Sequence, residues 1–490
     1  MPRNWATPLA HNIVVSNQLH LTTISGKALN STGKVVDFLV GTMGVYALLV
    51  GRIAFGLTSG LFLLVPRWEL PLSAEAVSLS KDGNVAAISA DSFLNSLGIN
   101  IHVAQGYYSG NYIEPLRYIG VRNVRDSAGH LSGLLRLHEE AGVKVDLLLW
   151  CELGPEMSAA LQLAAADALL SIEGPNEPNN FLIKYNGNSG GGQGSWLPVA
   201  QCQQDLYKAV KADKVLHAYP VFGVSEVGAE PTNVGLQYLT IPSGARTEMP
   251  DGTQYADYAN VHNYVSSTRR MYQDNQAWQA ADPTLNDAWD GLYGEYGRTW
   301  RGHFDGYSNA QLKTLPRVTT ETGWDTGINA GGQAVQGKVL VNTYLSQFKR
   351  GWSYTFIYEL VDGEGGPGEQ GLYTAHYEPK LAATYIHNLT AILADKSTGA
   401  EMGRLNYAIP NEPATVHDLL LQKSNGNFEL VVWGEAVDQS KEVVINFGAA
   451  HKAINVYDVT AKTDPIRKYN DVRSLPLVVG DHVMIVEVID

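Results

Sequence analysis

From residue 77 onwards, apolar runs of strand length alternate with amphipathic segments of helix length. The leucines of Leu131–Ala141 recur at three- and four-residue spacing, which predicts a helix with one buried face. Repeats of a buried strand followed by a helix predict βαβ units and a parallel sheet. The eight predicted strands are Leu97–Val103, Val121–Arg125, Val143–Trp150, Leu169–Gly174, Ala218–Val224, Tyr258–Tyr264, Arg317–Thr322 and Tyr354–Leu360.

Eight strand–helix repeats predict an α/β fold, a closed (β/α)₈ TIM barrel over residues 77–396. Active sites of this fold lie at the carboxyl ends of the strands, so the residues just after each strand become the candidates. The other predicted helices are Gln201–Ala212, Val335–Lys349 and Pro379–Leu393.

Beyond Leu393 the pattern changes to short alternating runs without intervening helices, which predicts an antiparallel β-sandwich domain over residues 397–490. Residues 77–90 are expected to add a strand to it. The predicted strands are Phe428–Gly434, Glu442–Phe447, Ala453–Val459 and His482–Val488.

Residues 1–76 form an N-terminal extension whose stretch 38–65 is almost wholly apolar. This stretch fits an uncleaved membrane anchor, a pair of buried strands, or a cleaved signal peptide with Ala74-Glu75-Ala76 as its cleavage site. The first and third interpretations both imply export. We therefore expect a secreted or periplasmic protein, which contacts a membrane only if the stretch stays as an anchor.

Composition excludes several classes of function. The 490 residues carry a formal net charge of −14, which argues against nucleic acid as a partner. The two cysteines, Cys151 and Cys202, have a spacing that predicts neither a disulfide framework nor a metal site. The histidines are scattered without metal-ligand spacing, and no serine-hydrolase elbow occurs, so no cofactor or metal is expected. The oligomeric state stays open.

Two glutamates carry the candidate chemistry. Glu177 lies in Gly174-Pro-Asn-Glu-Pro-Asn179 after the fourth predicted strand, and Glu321 ends the seventh. A pair of carboxylates at one barrel rim suits glycosidic cleavage, in which one acid protonates the leaving oxygen and the other attacks or activates water. The acid is expected to have a raised pKa because of burial and its carboxylate neighbour. The gap between the carboxyl groups decides between retention and inversion.

The tripeptide alone is weak evidence, because Asn411-Glu412-Pro413 repeats it beyond the barrel. That copy follows no long buried strand, and a surface turn is expected there. The context of Glu177 is what distinguishes it.

With these motifs, the stretch from Ser92 to Leu393 resembles the retaining glycoside hydrolases of clan A, which include families 5, 30, 39 and 79. The resemblance implies that Glu177 is the general acid/base and Glu321 the nucleophile. It also implies that Asn176 binds the sugar 2-hydroxyl.

Further site residues follow from the same resemblance. Arg125 matches the clan's arginine near the nucleophile, and His262 with Tyr264 matches its strand-six pair, in which Tyr264 is the expected donor to the nucleophile. Strand eight departs from the clan, which commonly has a tryptophan there. Here the corresponding candidates are Tyr358 and Glu359.

Two tryptophans are candidates for stacking on a sugar ring, Trp324 after the seventh strand and Trp150 at the end of the third. The expected function is a secreted, metal-independent, retaining glycoside hydrolase acting on a β-linked oligo- or polysaccharide. The alternatives are a non-catalytic carbohydrate-binding surface protein on the same barrel and a transglycosylase using the same two glutamates. The sugar, the linkage and endo or exo action stay open.

Overall fold

The computed structural model describes residues 24–29, 35–40, 83–225, 234–265, 275–284, 292, 307–328, 331–395 and 401–489. The chain divides into two compact units, Met1–Ala76 and Val77–Asp490. Each is described by itself.

The described part of the first unit is an antiparallel hairpin of β1 (Ile24–Leu29) and β2 (Val35–Val40). Most of the apolar stretch, residues 41–65, and the expected cleavage site lie outside the described residues. Among the helices that the structure describes, none is both long and apolar enough to cross a bilayer.

The second unit contains a barrel of eight parallel strands, as the sequence predicts. A parallel bridge between Phe222 and Tyr258 links the fifth strand to the start of the sixth and closes the ring. After the short strands β3 (Asn84–Ala86) and β4 (Ile88–Ser89) come the first barrel strands, β5 (Leu97–Asn100), β6 (Asn123–Ser127), β7 (Lys144–Leu148) and β8 (Leu169–Glu173). A small hairpin, β9 (Ile183–Tyr185) and β10 (Asn188–Gly190), precedes the last four, β11 (Val221–Phe222), β12 (Ala259–Val261), β13 (Arg317–Thr322) and β14 (Tyr354–Ile357).

Helices follow the strands and cover the outside of the barrel. In chain order they are α1 (Ala90–Asn95), α2 (Ile113–Ile119), α3 (Leu131–Ala141), α4 (Leu153–Ala165), α5 (Leu197–Ala212), α6 (Ala277–Ala280), α7 (Asn309–Leu312), α8 (Gly332–Lys349) and α9 (Leu381–Ile392).

The predicted strands all occur, and several end earlier than their apolar runs. The run Leu97–Val103 pairs as a strand only to Asn100, and Val103–Gln105 then turns into a 3₁₀ helix. The apolar pattern continues there because the rim residues pack inward, whereas strand pairing stops where the loops diverge. This difference places residues such as His102 at the barrel mouth.

The C-terminal strands form a second, mostly antiparallel sheet, as predicted. Along β17, Leu430 and Val432 pack into the core of this domain, while Val431 and Trp433 pack into the barrel core. The strand β17 is therefore buried on both faces. Its strands are β15 (Arg404–Ala408), β16 (Val416–Gln422), β17 (Phe428–Gly434), β18 (Lys441–Asp458), β19 (Arg467–Val479) and β20 (Val483–Ile489).

The short strands before the barrel belong to this sheet. Asn84–Ala86 pairs with β15, and Ile88–Ser89 pairs in parallel with β16. The expectation that residues 77–90 contribute a strand is therefore confirmed, and the chain crosses from the sandwich to the barrel at Ser89.

Polar contacts attach the sandwich to helix α8 of the barrel. Asn342 Nδ2 donates to the carbonyl oxygen of Gly434 at 2.9 Å, and Lys338 pairs with Asp481 at 2.8 Å. In the same region His482 lies between Asp458 and Asp481, at 3.5 and 3.4 Å. Although burial lowers the pKa of His482, these two carboxylates outweigh it and raise the pKa to about 9.

Cys151 and Cys202 form a disulfide with a Cα–Cα distance of 5.9 Å. The expectation from their spacing was wrong. They lie 51 positions apart along the chain, but the barrel brings the loop after β7 against helix α5. Sequence spacing does not report such a tertiary contact.

Candidate active site

Glu177 and Glu321 lie together at the carboxyl ends of barrel strands four and seven. Beyond β8, Asn176 forms a parallel bridge with Ser225, and the backbone N–H of Glu177 donates to the Ser225 carbonyl at 2.9 Å. Glu177 has φ of 39°, in the left-handed region that favours glycine. Such backbone strain concentrates at functional sites, and here it accompanies a carboxylate aimed into the barrel mouth.

Gly174 is required by a close approach of helix α5. A Cβ at this position would lie 1.8 Å from Gln203 Oε1. The Gln203 side chain donates to the carbonyl oxygens of Phe222 and Tyr255, so it is held in place. The glycine therefore permits the packing of α5 under the segment that carries Glu177.

The two carboxyl groups face each other across a cleft. A carboxylate oxygen of Glu177, one of Glu321 and a ring nitrogen of His262 all lie within 4.8 Å of one another. Both glutamates are 8% exposed. The cleft has a volume of about 580 Å³, and its lining includes both glutamates together with Asn176, Tyr264 and Tyr358.

Glu321 accepts hydrogen bonds from a cation and a phenol. Arg125 Nη1 donates to Oε1 at 2.8 Å, and the Tyr264 hydroxyl donates to Oε2 at 2.7 Å. Burial and the charge of Glu321 raise the pKa of Tyr264 well above its usual value, so the phenol keeps its proton. Both predicted neighbours therefore stabilise the ionised form of Glu321.

Arg125 is the centre of a buried network. Its Nη2 donates to Asn176 Oδ1 at 2.7 Å, and its Nη1 donates to Asn100 Oδ1 at 2.9 Å. Two further bonds reach Glu173, from Nε at 2.6 Å and from Nη2 at 2.9 Å. Sequence reasoning missed Glu173. Its signal was a charged residue at the end of a buried, mainly apolar strand.

Glu177 has a different set of partners. His262 Nδ1 lies 2.6 Å from Oε1, and Asn180 Nδ2 donates to Oε2 at 2.8 Å. Burial raises the pKa of Glu177, but the hydrogen bonds from His262 and Asn180 outweigh it and hold the pKa below its usual value. The sequence predicted a raised pKa for Glu177 from burial and the second carboxylate. That reasoning did not include the hydrogen bond from His262, which reverses the direction of the shift.

The hydrogen bonds of Thr320 define the tautomer of His262. Thr320 Oγ1 lies 3.0 Å from two acceptors, Glu173 Oε1 and Asn260 Oδ1, and 3.1 Å from His262 Nε2. A hydroxyl has one proton to donate, so it accepts from a protonated Nε2. One proton therefore remains to be shared between His262 Nδ1 and Glu177 Oε1, which lie 2.6 Å apart.

Of the predicted aromatic residues, Trp150 and Tyr358 line the cleft. Trp150 is 41% exposed and meets Phe181 edge to face, with ring centroids 6.5 Å apart. Phe181 also lines the cleft, and its backbone N–H donates to the Glu177 carbonyl. The two rings form an open apolar edge beside the candidate acid.

Two predicted contact residues lie elsewhere. Trp324 is 2% exposed and packs in the barrel core, so the prediction that it stacks on a sugar is wrong. Glu359 is buried below the cleft lining, where it accepts from the backbone N–H groups of Gly363 and Gly365. Glu359 therefore holds the glycine-rich loop after strand eight. The sequence could not place it, because the register of the strand decides whether a side chain after its end points into the cleft or away from it.

His102 and Asp126 line the cleft although the sequence did not single them out. Burial lowers the pKa of His102 to about 4, and Arg125 adds to this. Burial raises the pKa of Asp126 to about 7 against hydrogen bonds from backbone N–H groups. His102 lies two residues after β5 and Asp126 is the fourth residue of β6, so both lie near the carboxyl ends of barrel strands, which was the available signal. Both give the cleft a polar end beside Arg125.

His262, Glu177 and Glu321 also have a donor set that cations bind. Arg125 already supplies a positive charge to Glu321 at 2.8 Å. The carboxylates therefore have protein donors in place, and the arrangement suits acid–base and nucleophilic chemistry.

The second Asn-Glu-Pro behaves as expected. Asn411 lies in a turn between β15 and β16, with φ of 56°, and Glu412 is exposed. It belongs to the sandwich and follows no barrel strand.

No protein-family model matches the chain, and no curated protein matches its sequence. Solved structures do resemble it. A family 39 glycoside hydrolase from Bacteroides cellulosilyticus WH2 superposes with a TM-score of 0.51 at 15% identity, over 82% of this chain and 83% of that one. A GH30 endoxylanase from Clostridium papyrosolvens C71 gives 0.46 at 12%, over 83% and 98%, and a GH51 arabinofuranosidase from Xanthomonas axonopodis pv. citri gives 0.45 at 12%, over the same shares.

The likeness to the family 39 enzyme extends over barrel and sandwich, since it covers most of both chains. At this identity it shows the fold alone. The chain has a clan A glycoside hydrolase-like fold, a TIM barrel with a β-sandwich.

Proposed function

We propose that this protein is a retaining glycoside hydrolase that cleaves β-glycosidic bonds of an oligo- or polysaccharide by double displacement. The observation that carries the proposal is the pair of buried carboxylates whose oxygens lie within 4.8 Å and whose partners differ. Arg125 and Tyr264 stabilise a charged Glu321, while Glu177 shares a proton with His262.

In the first step the Glu321 carboxylate attacks the anomeric carbon. The bond from that carbon to the glycosidic oxygen breaks, and the proton shared by Glu177 and His262 passes to the leaving oxygen through Glu177. The product is a glycosyl ester on Glu321 and a free alcohol. As the charge on Glu321 is consumed, its bonds from Arg125 and Tyr264 weaken.

In the second step Glu177 accepts a proton from water, and the resulting oxygen attacks the anomeric carbon from the face that the leaving group vacated. The ester bond to Glu321 breaks, and its carboxylate returns to Arg125. Two inversions at one carbon give net retention. His262 supports both steps because it stores the proton when Glu177 is ionised.

The carboxylate gap supports retention over inversion. Retaining enzymes separate the two carboxyl groups by about 5–5.5 Å, whereas inverting enzymes need about 6.5–9.5 Å to admit a water molecule. One oxygen of each glutamate lies within 4.8 Å of the other, which is closer to the retaining than to the inverting separation.

The cleft supports a sugar substrate larger than one ring. Trp150 and Phe181 offer ring faces and edges beside Glu177, where the leaving group departs. Aromatic surfaces pack against the C–H faces of pyranose rings. We also propose export to an oxidising compartment, which the Cys151–Cys202 disulfide supports.

A non-catalytic carbohydrate-binding protein would need neither a poised acid nor a stabilised nucleophile. Buried carboxylates without such a use are costly to maintain. A transglycosylase would use the same first step and differ in the acceptor of the second. Product analysis in water with and without added alcohols or sugars separates these two enzymes.

The decisive experiment is trapping of the intermediate, after a panel of aryl glycosides has identified a cleaved substrate. A 2-deoxy-2-fluoro glycoside with a good leaving group is expected to inactivate the protein and to leave its sugar on the peptide that contains Glu321. Glu321→Ala should abolish turnover and labelling. Labelling of another residue, or full activity of this variant, refutes the assignment.

Glu177→Ala should keep the first step for activated aryl glycosides, stall afterwards, and recover rate when azide is added. The matched control is Glu412→Ala, which removes the same residue from the second Asn-Glu-Pro. It should behave as wild type. Failure of azide to form a β-glycosyl azide would argue against Glu177 as acid/base.

A further inference from the structure

A third carboxylate lies beneath the two that face the cleft. Glu173 is the last residue of β8, four positions before Glu177, and its side chain is fully buried. Its Oε2 accepts from Arg125 Nε at 2.6 Å, and its Oε1 accepts from Arg125 Nη2 at 2.9 Å. This bidentate pairing defines the plane of the guanidinium, and thus the direction of the remaining donors.

One route leads from Glu173 to Glu321. With Nε and one side of Nη2 held by Glu173, Arg125 presents Nη1 to Glu321 at 2.8 Å. The single positive charge of Arg125 is therefore divided between two carboxylates. The stabilisation that Glu321 receives depends on the charge of Glu173.

A second route leads from Glu173 to Glu177. Thr320 Oγ1 lies 3.0 Å from Glu173 Oε1 and 3.1 Å from His262 Nε2, and His262 Nδ1 reaches Glu177 at 2.6 Å. Because Thr320 donates its proton to an acceptor below it, it accepts from His262. Glu173, together with Asn260 Oδ1 at 3.0 Å from the same hydroxyl, thereby favours the tautomer that leaves Nδ1 for the proton shared with Glu177.

Asp146 lies one layer deeper and is also fully buried. Ser171 Oγ donates to its Oδ1 at 2.7 Å, whereas no donor among the described residues reaches Oδ2. Burial and the charge of Glu173 raise the pKa of Asp146 well above its usual value. Arg125 contacts Glu173 directly and lowers the pKa of Glu173, so the negative charge of this layer is favoured on Glu173 over Asp146.

We propose that Glu173 is a positioning residue that couples the two proposed catalytic glutamates: it orients Arg125 toward Glu321 and, through Thr320, holds His262 in the tautomer that serves Glu177. The inference rests on the proposed glycosidase function. It gives a role to the buried carboxylate of Glu173, which takes no direct part in either chemical step.

The charged and titratable groups around this coupling come from six strands. They are Asp126, Arg125, Asp146, Glu177, His262, Tyr264, Glu321 and Tyr358. Of these, Arg125 is the one cation that contacts Glu173 directly among the described residues.

The test is Glu173→Gln, which keeps the shape and removes the charge. Without that charge, Arg125 acts fully on Glu321 and stabilises its carboxylate form, so the acidic limb of the kcat/KM profile moves to lower pH. The Glu177–His262 pair also loses a nearby negative charge and releases its proton more easily, so the basic limb moves to lower pH as well. At an effective dielectric constant near 20, removal of a nearby unit charge is expected to move each limb by on the order of one pH unit or more.

Asp146→Asn is the matched control. It changes a buried carboxyl of the adjacent strand in the same way, but it removes no charge if Asp146 is neutral, and the amide can still donate to Glu173. Both limbs should stay within about 0.3 of the wild-type pH values. A second pair, Thr320→Val and Thr320→Ser, isolates the route to His262: the valine should move the basic limb alone, and the serine should move neither.

The two acids are also titrated by NMR of ¹³C-carboxyl-labelled glutamate, with signals assigned from Glu177→Gln and Glu321→Gln. This measurement needs no substrate.

If the wild type cleaves no glycoside but Glu173→Gln lowers both pKa values, the proposed function fails and the coupling holds. If turnover is normal and Glu173→Gln lowers only the melting temperature, Glu173 is structural and the proposal is overturned. Equal shifts in Asp146→Asn would also overturn it, as they would place the charge on Asp146. Should Glu173→Gln not fold, the Thr320 pair decides, since unmoved limbs in Thr320→Val refute the route.

Discussion

Removal of the Cys151–Cys202 disulfide should destabilise the barrel. The length of chain between the two cysteines determines how much unfolding free energy is lost. The perturbation is the double variant Cys151→Ala/Cys202→Ala, which avoids free thiols at two buried positions. With the cysteines 51 positions apart along the chain, the loop-closure estimate gives about 4 kcal/mol of unfolding free energy at 25 °C.

This loss converts into a modest change in melting temperature, because the unit Val77–Asp490 is large. At about 2.1 cal/mol/K per residue its unfolding entropy is roughly 0.9 kcal/mol/K, so the midpoint should fall by about 5 °C. The assay is differential scanning calorimetry of wild type and variant, each with and without a phosphine reductant. Reductant should lower the wild-type midpoint toward that of the variant and leave the variant unchanged.

Two outcomes would refute the reasoning. An unchanged midpoint in both the reduced protein and the variant would mean that the cross-link does not constrain the unfolded chain. A fall well beyond about 10 °C in the variant alone would mean that packing of the sulfur atoms, not loop closure, dominates.

Three further predictions concern the site and the sandwich. Tyr264→Phe should lower kcat/KM by about 10- to 100-fold and move the acidic limb to higher pH, because Glu321 loses a hydrogen bond to its charged form; an unmoved limb would contradict this. Trp150→Ala should lower kcat/KM about 5- to 30-fold for oligosaccharides and less than about threefold for aryl glycosides, with exposed Leu182→Ala as control; equal losses on both substrates would exclude a leaving-group contact. His482→Gln should cost up to about 3 kcal/mol of stability below pH 6.5, because the pKa of about 9 for His482 in the folded protein exceeds its value in the unfolded chain. The difference between variant and wild type should vanish as pH rises through 9. A cost that persists above pH 10 would show that the ion pairs of His482 are not its source.

Much of the fold was predictable from periodicity. The strand Arg317–Thr322 and the helix Leu131–Ala141 have the predicted bounds, because buried faces repeat with the period of the element. The ends of other strands were not predictable. The strand Ala218–Val224 pairs only over Val221–Phe222, since pairing depends on where the neighbouring strands diverge.

The site was predictable where residue type and strand position coincide. Glu177, Glu321, Arg125 and Tyr264 follow or end strands, and their carboxylate, guanidinium and phenol chemistry narrows what each can do. Trp324 shows the limit of this reasoning. Its position after strand seven was as favourable as that of Trp150 after strand three, yet it lies in the core.

The sequence by itself determined the order of strands and helices, the two glutamates and the class of chemistry, because local periodicity and residue chemistry are properties of the chain. The tertiary structure alone decided the Cys151–Cys202 pairing, the carboxylate gap and the place of Glu173 beneath both acids. Each of these three features depends on residues from different parts of the chain, and the distances between those residues follow from how the barrel closes. The lowered pKa of Glu177 has the same origin, since His262 meets it only across the barrel mouth.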